Sequence, residues 1–197
     1  MPELILPAET SRQLAVLYAE MEIAYDRVAR QLDFSCAGCP DNCCDSYFLH
    51  HTYIEWAYLW EGIKALPETK QSGIIARAVH YELEATRLLA KGERPNLLCP
   101  LNEAGLCGLY AHRLLICRLH GVPAKITRPD GHELRFPGCF RCQELAERQP
   151  NPPELDRTDF FRWMVEMESA FIKSLGQALP RVKMTLAGML AQGPPCL

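Results

Sequence analysis

The sequence has no apolar run that approaches the ~18 residues needed to span a membrane as a helix. The segment from Met1 to Pro7 carries neither a basic stretch nor a long apolar core, so no secretion signal is predicted. A formal net charge of only −3 provides no overall basic field to attract nucleic acid or an anionic membrane. These absences predict a cytoplasmic protein that binds neither nucleic acid nor membranes.

Cysteine, in contrast, is abundant, with ten residues in a chain of 197. Nine of the ten fall into three groups, and only Cys196, beside two prolines, stands apart. The groups are Cys36, Cys39, Cys43 and Cys44, then Cys99, Cys107 and Cys117, then Cys139 and Cys142. In a reducing compartment, gathered thiols are more often metal ligands or redox groups than disulfides. Metal binding is therefore the predicted role of the nine clustered cysteines.

The spacing of these thiols suits zinc or an iron–sulfur cluster. A Cys-x-x-Cys pair lets two thiolates converge on one ion at about 2.3 Å from zinc, and a cluster normally takes four thiolates. Nine thiols exceed one such site and nearly fill two, so one centre and two centres both remain open. Adjacent side chains seldom point at the same ion, and Cys43 and Cys44 are neighbours. The two cysteines could therefore serve two different centres, or one could bind metal while the other packs in the protein. His50, His51, His112 and His120 are further candidate ligands.

The charge around the later cysteines is basic. Six arginines and lysines lie between Cys107 and Cys142, against only Asp130 and Glu133. Cations near thiols lower the pKa of the thiols and stabilise an anionic thiolate site. Arg118, next to Cys117, is predicted to tune the site without ligating it, because arginine offers no lone pair.

Apolar residues at three- and four-residue spacing predict a largely helical chain. Capping-box patterns begin the first helix at Thr10 and the second at Thr52. The predicted helices are 10–32, 52–65, 67–91, one between Gly138 and Pro150, 156–175 and 182–190. The apolar face of the third helix is predicted to contain Ile74, Ile75, Ala78, Val79, Leu83 and Leu89. Segments 124–127 and 132–136 flank Pro129-Asp130-Gly131, which predicts a β-hairpin.

The length favours one domain, at about 150 residues per domain. We therefore predict a single domain over 1–197, with an N-terminal helix (1–34), a cysteine-cluster metal-binding region (35–148) and C-terminal helices (154–197). The predicted fold class is mainly α. Its helices pack around a loop-rich, metal-stapled cysteine core, with a short β-hairpin near 124–136.

Three cysteine motifs over about residues 36–142 carry a family resemblance. Cys36, Cys39, Cys43 and Cys44 form a Cys-x-x-Cys pair followed by a Cys-Cys doublet. The later motifs are Cys99-Pro100-Leu101, Cys107-Gly108-Leu109-Tyr110, Arg113 to Arg118 around Cys117, and Cys139-Phe140-Arg141-Cys142. In this order they resemble the motifs of the cysteine-cluster family of zinc- or iron-chelating, YkgJ-like proteins. The chain departs from that pattern with three residues before the doublet and with Leu114 in place of a proline.

The resemblance implies a metal-binding protein whose nine clustered cysteines hold an iron–sulfur cluster, with [4Fe–4S] the leading form, or Zn²⁺. Flagellin lysine N-methylases share the cysteine motif. The alternative function is therefore a cluster-dependent enzyme that acts by redox chemistry or by methyl transfer to a protein side chain. A metal-delivery protein is the third possibility. No glycine-rich nucleotide loop supports S-adenosylmethionine binding, and the partner is an unidentified protein or small molecule.

Overall fold

A computed structural model describes residues 2–36 and 43–197, and about half of the chain is helical. The helices in these ranges are α1 (Ala8–Gln31), α2 (Tyr53–Lys64), α3 (Glu68–Ala90), α4 (Leu115–Leu119), α5 (Phe140–Ala146), α6 (Thr158–Ser174) and α7 (Leu186–Ala191). The strands are β1 (Asn102–Glu103), β2 (Leu106–Cys107), β3 (Ala124–Thr127), β4 (Glu133–Phe136) and β5 (Leu155–Asp156). The prediction of a mainly α fold is confirmed.

The helix at the N-terminus begins earlier than its predicted cap. Pro7 precedes the first turn of α1, and no side chain caps that turn. Proline suits this place because its fixed φ is already helical and it needs no partner for an N–H. Thr10 therefore lies inside the helix, and the prediction of a Thr10 cap is wrong. The face built on Leu14, Leu17 and Met21 is fully buried, as its spacing predicts.

The second helix is the centre of the core. Thr52 caps α2 as predicted, because its side chain accepts a hydrogen bond from the backbone N–H of Glu55. Almost every residue from Tyr53 to Ile63 is buried, which is the pattern of a helix surrounded by protein on all sides.

The third helix buries a narrower face than its apolar residues predict. Ile74, Ala78, Tyr81 and Ala85 are its buried residues, where α3 packs against α7. Three apolar positions predicted for the core, Val79, Leu83 and Leu89, are exposed. Packing against one short partner helix leaves room for only one stripe, so the other apolar side chains stay in solvent.

The predicted hairpin forms and gains a third strand. β3 pairs with β4 antiparallel, from Ala124 opposite Phe136 to Thr127 opposite Glu133. β5 adds to the other edge of β3 in parallel, with Ala124 opposite Leu155. A separate small hairpin pairs β1 with β2, and it has no counterpart in the sequence prediction.

The last helix is shorter than predicted, because its first residues are extended. Met184 pairs with His50 through two backbone hydrogen bonds of 2.7 and 3.1 Å. Thr185 then caps α7 by accepting a hydrogen bond from the N–H of Gly188. A single cluster of buried side chains contains residues from the N-terminal helix, the cysteine region and the C-terminal helices.

Candidate metal centre

Four cysteines from separate parts of the sequence line one cavity. Cys44, Cys99, Cys107 and Cys117 form part of the wall of a cavity of about 60 Å³. The same wall contains His50, Tyr81, Arg113 and His120. The structure thus joins one member of the first cysteine group to all of the second.

Backbone hydrogen bonds hold the first three of these cysteines together. The N–H of Cys99 donates to the carbonyl of Cys44 over 2.8 Å, which links the first group to the second. The N–H of Asn102 donates to the carbonyl of Cys99 at 2.9 Å. Asn102 then pairs with Cys107 across the β1–β2 hairpin. The hairpin therefore brings Cys107 back beside the segment that contains Cys99.

Cys117 comes from α4, and the core fixes the position of that helix. The N–H of Leu115, at the start of α4, donates to Oε1 of the buried Glu55 over 2.7 Å. Leu115 and Leu119 are buried on either side of Cys117. The helix is only five residues long, so this packing, rather than helical propensity, positions the thiol.

Burial raises the pKa of three of the cavity thiols. It raises the pKa of Cys99 and of Cys117 to about 12, and it also raises the pKa of Cys107. Three groups oppose this effect at Cys107: first the backbone N–H of Leu109, then the guanidinium of Arg113 and last that of Arg118. The N–H of Leu101 acts on Cys99 in the same way. In both cases the amide two residues after the cysteine faces its sulfur, an arrangement that stabilises a thiolate.

Arg113 is the cation that lines the cavity, although Arg118 also lowers the pKa of Cys107. Arg113 lines the cavity, and its charge lowers the pKa of Cys117, although burial raises it more. Arg118 instead donates hydrogen bonds to the carbonyls of Tyr110, Ala111 and Arg113 at 2.6–2.9 Å. Arg118 therefore holds the 110–113 segment in shape, a role that its sequence position next to Cys117 does not reveal.

Two of the four candidate histidines lie at the cavity and two do not. His50 and His120 line it, and Nδ1 of His50 is buried without a hydrogen-bond partner among the described residues. His51 lies 3.2 Å from the carbonyl of Val182 through its Nδ1. His112 packs its ring against that of Tyr58, with the ring centroids 4.4 Å apart.

The remaining cysteines have different surroundings. Burial raises the pKa of Cys142 to about 12, and the thiols of Cys139 and Cys36 raise it further. Cys39 lies outside the described residues, and of Cys43 only the backbone is described. Cys196 is exposed, as its place outside the motifs predicts.

The thiols share a cavity without converging on a point. Within residues 2–36 and 43–197, no group of three or more His, Cys, Asp or Glu side chains is arranged to hold a metal ion. The donor set is nevertheless of the right chemistry, because four thiols match the ligand number of both tetrahedral zinc and a [4Fe–4S] cluster. Each thiol can turn about its χ1 bond, so side-chain rotation can bring the sulfurs closer together.

An open cleft of about 620 Å³ adjoins the cavity. Cys44, Cys107, Arg113 and His120 line both spaces. The thiols can therefore be approached from the cleft, which Cys36 also lines.

The chain matches no protein-family model, no curated protein and no solved structure. Among the described residues, no helix combines the length and the apolar character that a membrane crossing requires.

Proposed function

We propose that the chain is a metal-binding protein in which Cys44, Cys99, Cys107 and Cys117 ligate a [4Fe–4S] cluster or, alternatively, Zn²⁺. The observation that carries this proposal is the single cavity lined by four thiols from three stretches of the chain. Four half-buried thiols beside a guanidinium and two backbone amides form a set suited to thiolates. The resemblance to the YkgJ-like family agrees with this assignment.

A metal ion that binds here must displace the protons of the buried thiols. Because burial raises the pKa of Cys99 and Cys117 to about 12, these thiols stay protonated at neutral pH until a metal replaces the proton. Four thiolates around Zn²⁺ or a [4Fe–4S]²⁺ cluster leave a net charge of −2, and Arg113 offsets part of it. The bound group would supply either a structural crosslink between the loops or a redox centre.

Metal analysis of anaerobically purified protein tests the proposal. Iron and sulfide with a brown colour identify the cluster, whereas a colourless protein with one or more zinc ions per chain identifies zinc. Cys107→Ser is expected to lower the metal content, and Cys196→Ser, which alters an exposed thiol outside the cavity, is expected to leave it unchanged. Full metal content in Cys107→Ser would refute the assignment.

The adjoining cleft favours a second candidate function, a cluster-dependent enzyme. A substrate in the cleft would lie against Arg113 and His120, which also line the thiol cavity. A delivery protein receives less support, because Cys99, Cys107 and Cys117 are largely shielded from solvent. The rate at which a chelator removes the bound metal separates the enzyme from the delivery protein. Exchange slower than at a surface thiolate site would favour the enzyme over the delivery protein.

A further inference from the structure

Two arginines in the lining of the cleft lie beside one tyrosine. The guanidinium carbons of Arg113 and Arg118 are 5.6 and 5.7 Å from the centroid of the Tyr110 ring. All three residues line the cleft, and Tyr110 is 51% exposed. A ligand that enters the cleft therefore meets an aromatic ring with two guanidinium groups next to it.

Neither of these arginines has an acidic partner among residues 2–36 and 43–197. Arg118 donates its hydrogen bonds to uncharged carbonyls, and Arg113 contacts the Tyr110 ring. Arginines elsewhere on the surface do form ion pairs with Asp or Glu, at 2.5–3.2 Å, as shown by Arg12, Arg87, Arg128, Arg135 and Arg162. Arg113 and Arg118 are both half-buried, and a cation removed from water is costly unless an anion compensates it.

A third guanidinium is held against the same stretch of chain. Arg157 donates to the carbonyl of Leu119, the residue before His120, and His120 lines the cleft. Arg157 is 8% exposed, and its Nε is buried without a hydrogen-bond partner in the described part of the chain. Segment 110–120 is thus surrounded by three cations that carbonyls, and not carboxylates, hold in place.

A metal in the thiol cavity would not account for all of this charge. Four thiolates leave a net charge of −2 at the proposed metal site, against three guanidinium groups. Arg113 lines both the cavity and the cleft, but Arg118 lines only the cleft. Positive charge therefore remains on the cleft side even when a metal is bound.

Acidic side chains line the same cleft without reaching these arginines. Glu22 and Asp26 lie one helical turn apart on α1, and both are exposed. Neither forms an ion pair with any residue that the structure describes. The cleft thus presents both signs of charge across open space, and its volume of about 620 Å³ suits a small-molecule or short peptide ligand.

We propose that the cleft binds a zwitterion of the amino-acid or short-peptide class, with its carboxylate on Arg113 and its ammonium group toward Glu22 and Asp26. A guanidinium can hold a carboxylate through two parallel hydrogen bonds. Arg113 is assigned this role because three carbonyls already occupy Arg118. The ring of Tyr110 and the 76% exposed side chain of Leu106 offer apolar surface to the rest of the ligand.

As a substrate site, the cleft rests on the second candidate function, but the binding itself requires no metal. Calorimetric titration of the anaerobically purified full chain tests it, with the metal content measured on the same sample. The zwitterionic probes are the tripeptide Gly-Gly-Phe and free L-phenylalanine, and the ratio of their affinities tells a peptide from an amino acid. N-acetyl-Gly-Gly-Phe lacks the ammonium group and Gly-Gly-Phe amide lacks the carboxylate.

Each of the two singly charged analogues is expected to bind at least about tenfold more weakly than Gly-Gly-Phe. Equal binding of the tripeptide and either analogue, or binding of neither zwitterion, would overturn the inference. Full metal content without such binding would overturn this inference alone. Binding by a purified protein that holds no metal would refute the proposed metal function and leave the zwitterion site standing.

Variants at the two ends of the cleft separate the two charges. Arg113→Met is expected to remove the preference for Gly-Gly-Phe over its amide. The double variant Glu22→Gln and Asp26→Asn is expected to remove the preference over the N-acetyl analogue and to keep the preference over the amide. Glu20→Gln, on α1 outside the cleft, and Arg128→Met, an exposed arginine paired with an acid, are matched controls and should keep both preferences. Unchanged preferences in both cleft variants would overturn the site.

Discussion

The backbone N–H of Leu115 donates to Oε1 of Glu55 over 2.7 Å, deep in the core. Glu55 is 5% exposed, so its carboxylate links the central helix α2 directly to α4, the helix that carries Cys117. Oε2 of the same carboxylate accepts from Thr52 Oγ1 at 2.8 Å. One buried acid therefore couples the cap of α2 to the position of a candidate metal ligand.

Replacing Glu55 by alanine is expected to destabilise the fold by roughly 3 kcal/mol, because the Leu115 amide would stay buried without an acceptor. Glu55→Gln keeps an oxygen for that amide, and we expect it to recover most of the loss. The free energy of unfolding in urea measures both changes. Equal destabilisation in the two variants would show that the hydrogen bond to Leu115 is not the reason.

Acid is expected to weaken the fold through His50. Burial lowers the pKa of His50 from 6.5 to about 4, so between these values the unfolded chain binds a proton that the folded chain does not. The contribution of neutral His50 to the free energy of unfolding is therefore complete above pH 6.5. As the pH falls toward 4, up to roughly 3 kcal/mol of it is lost. We expect His50→Asn to flatten this part of the profile of unfolding free energy against pH in metal-free protein. His80→Asn, which alters an exposed histidine on α3, should leave the profile as it is.

The two arginines near the cavity are expected to differ in what they support. Arg118→Ala removes the donor to three carbonyls and should cost about 1–3 kcal/mol of stability. Arg113→Met removes the cation that opposes the raised pKa of Cys107 and Cys117, and should weaken zinc binding at pH 7 about tenfold. Arg113→Lys should retain part of the affinity. The assignment of roles fails if Arg113→Met alters stability and leaves zinc affinity unchanged.

Gly138→Ala is expected to destabilise the protein more than Gly131→Ala. The two glycines have nearly the same backbone conformation, with φ of +85° and +84°. A methyl group at Gly131 would meet nothing within 4 Å, while one at Gly138 would press on the Gly121 carbonyl. The strain of a positive φ is thus common to both, at about 1 kcal/mol. A melting temperature that falls equally in both variants would mean that the Gly121 carbonyl moves aside for the added methyl group at little cost in free energy.

Metal and fold are expected to be coupled. The segments between Cys99 and Cys139 consist mainly of short strands and turns, so a bound metal would replace core that these loops do not supply. Removal of the metal by a strong chelator should lower the melting temperature by roughly 6–12 °C for a loss of about 3 kcal/mol in a chain of this size. Far-ultraviolet circular dichroism should retain most of its helical signal, because α1, α2 and α3 contribute many apolar side chains to the buried core. An unchanged melting temperature would contradict the coupling.

The sequence by itself determined the mainly α class, the Thr52 cap and the hairpin at 124–136. These features depend on side-chain period and on turn residues, which act over a few positions and so are visible locally. The start of α1 was mistaken because Pro7 and a capping-box pattern compete within the same few residues. The exposed Val79 and Leu83 on α3 could not be predicted, because only the docking of α7 decides which apolar stripe is covered.

The cysteine motifs predict nine metal ligands, and only the tertiary structure decided how the described ones are grouped. Cys36 and Cys44 belong to one motif and lie near different partners. Cys44 joins Cys99, Cys107 and Cys117 at one cavity, with a backbone hydrogen bond between Cys99 and Cys44, while Cys36 is among the thiols that raise the pKa of Cys142. A short separation in sequence does not determine which other cysteines a thiol lies beside. The position of each thiol depends on contacts between distant segments, such as the backbone hydrogen bonds from Cys99 to Cys44 and from Cys139 to Gly121, and those contacts exist only once the helices have packed.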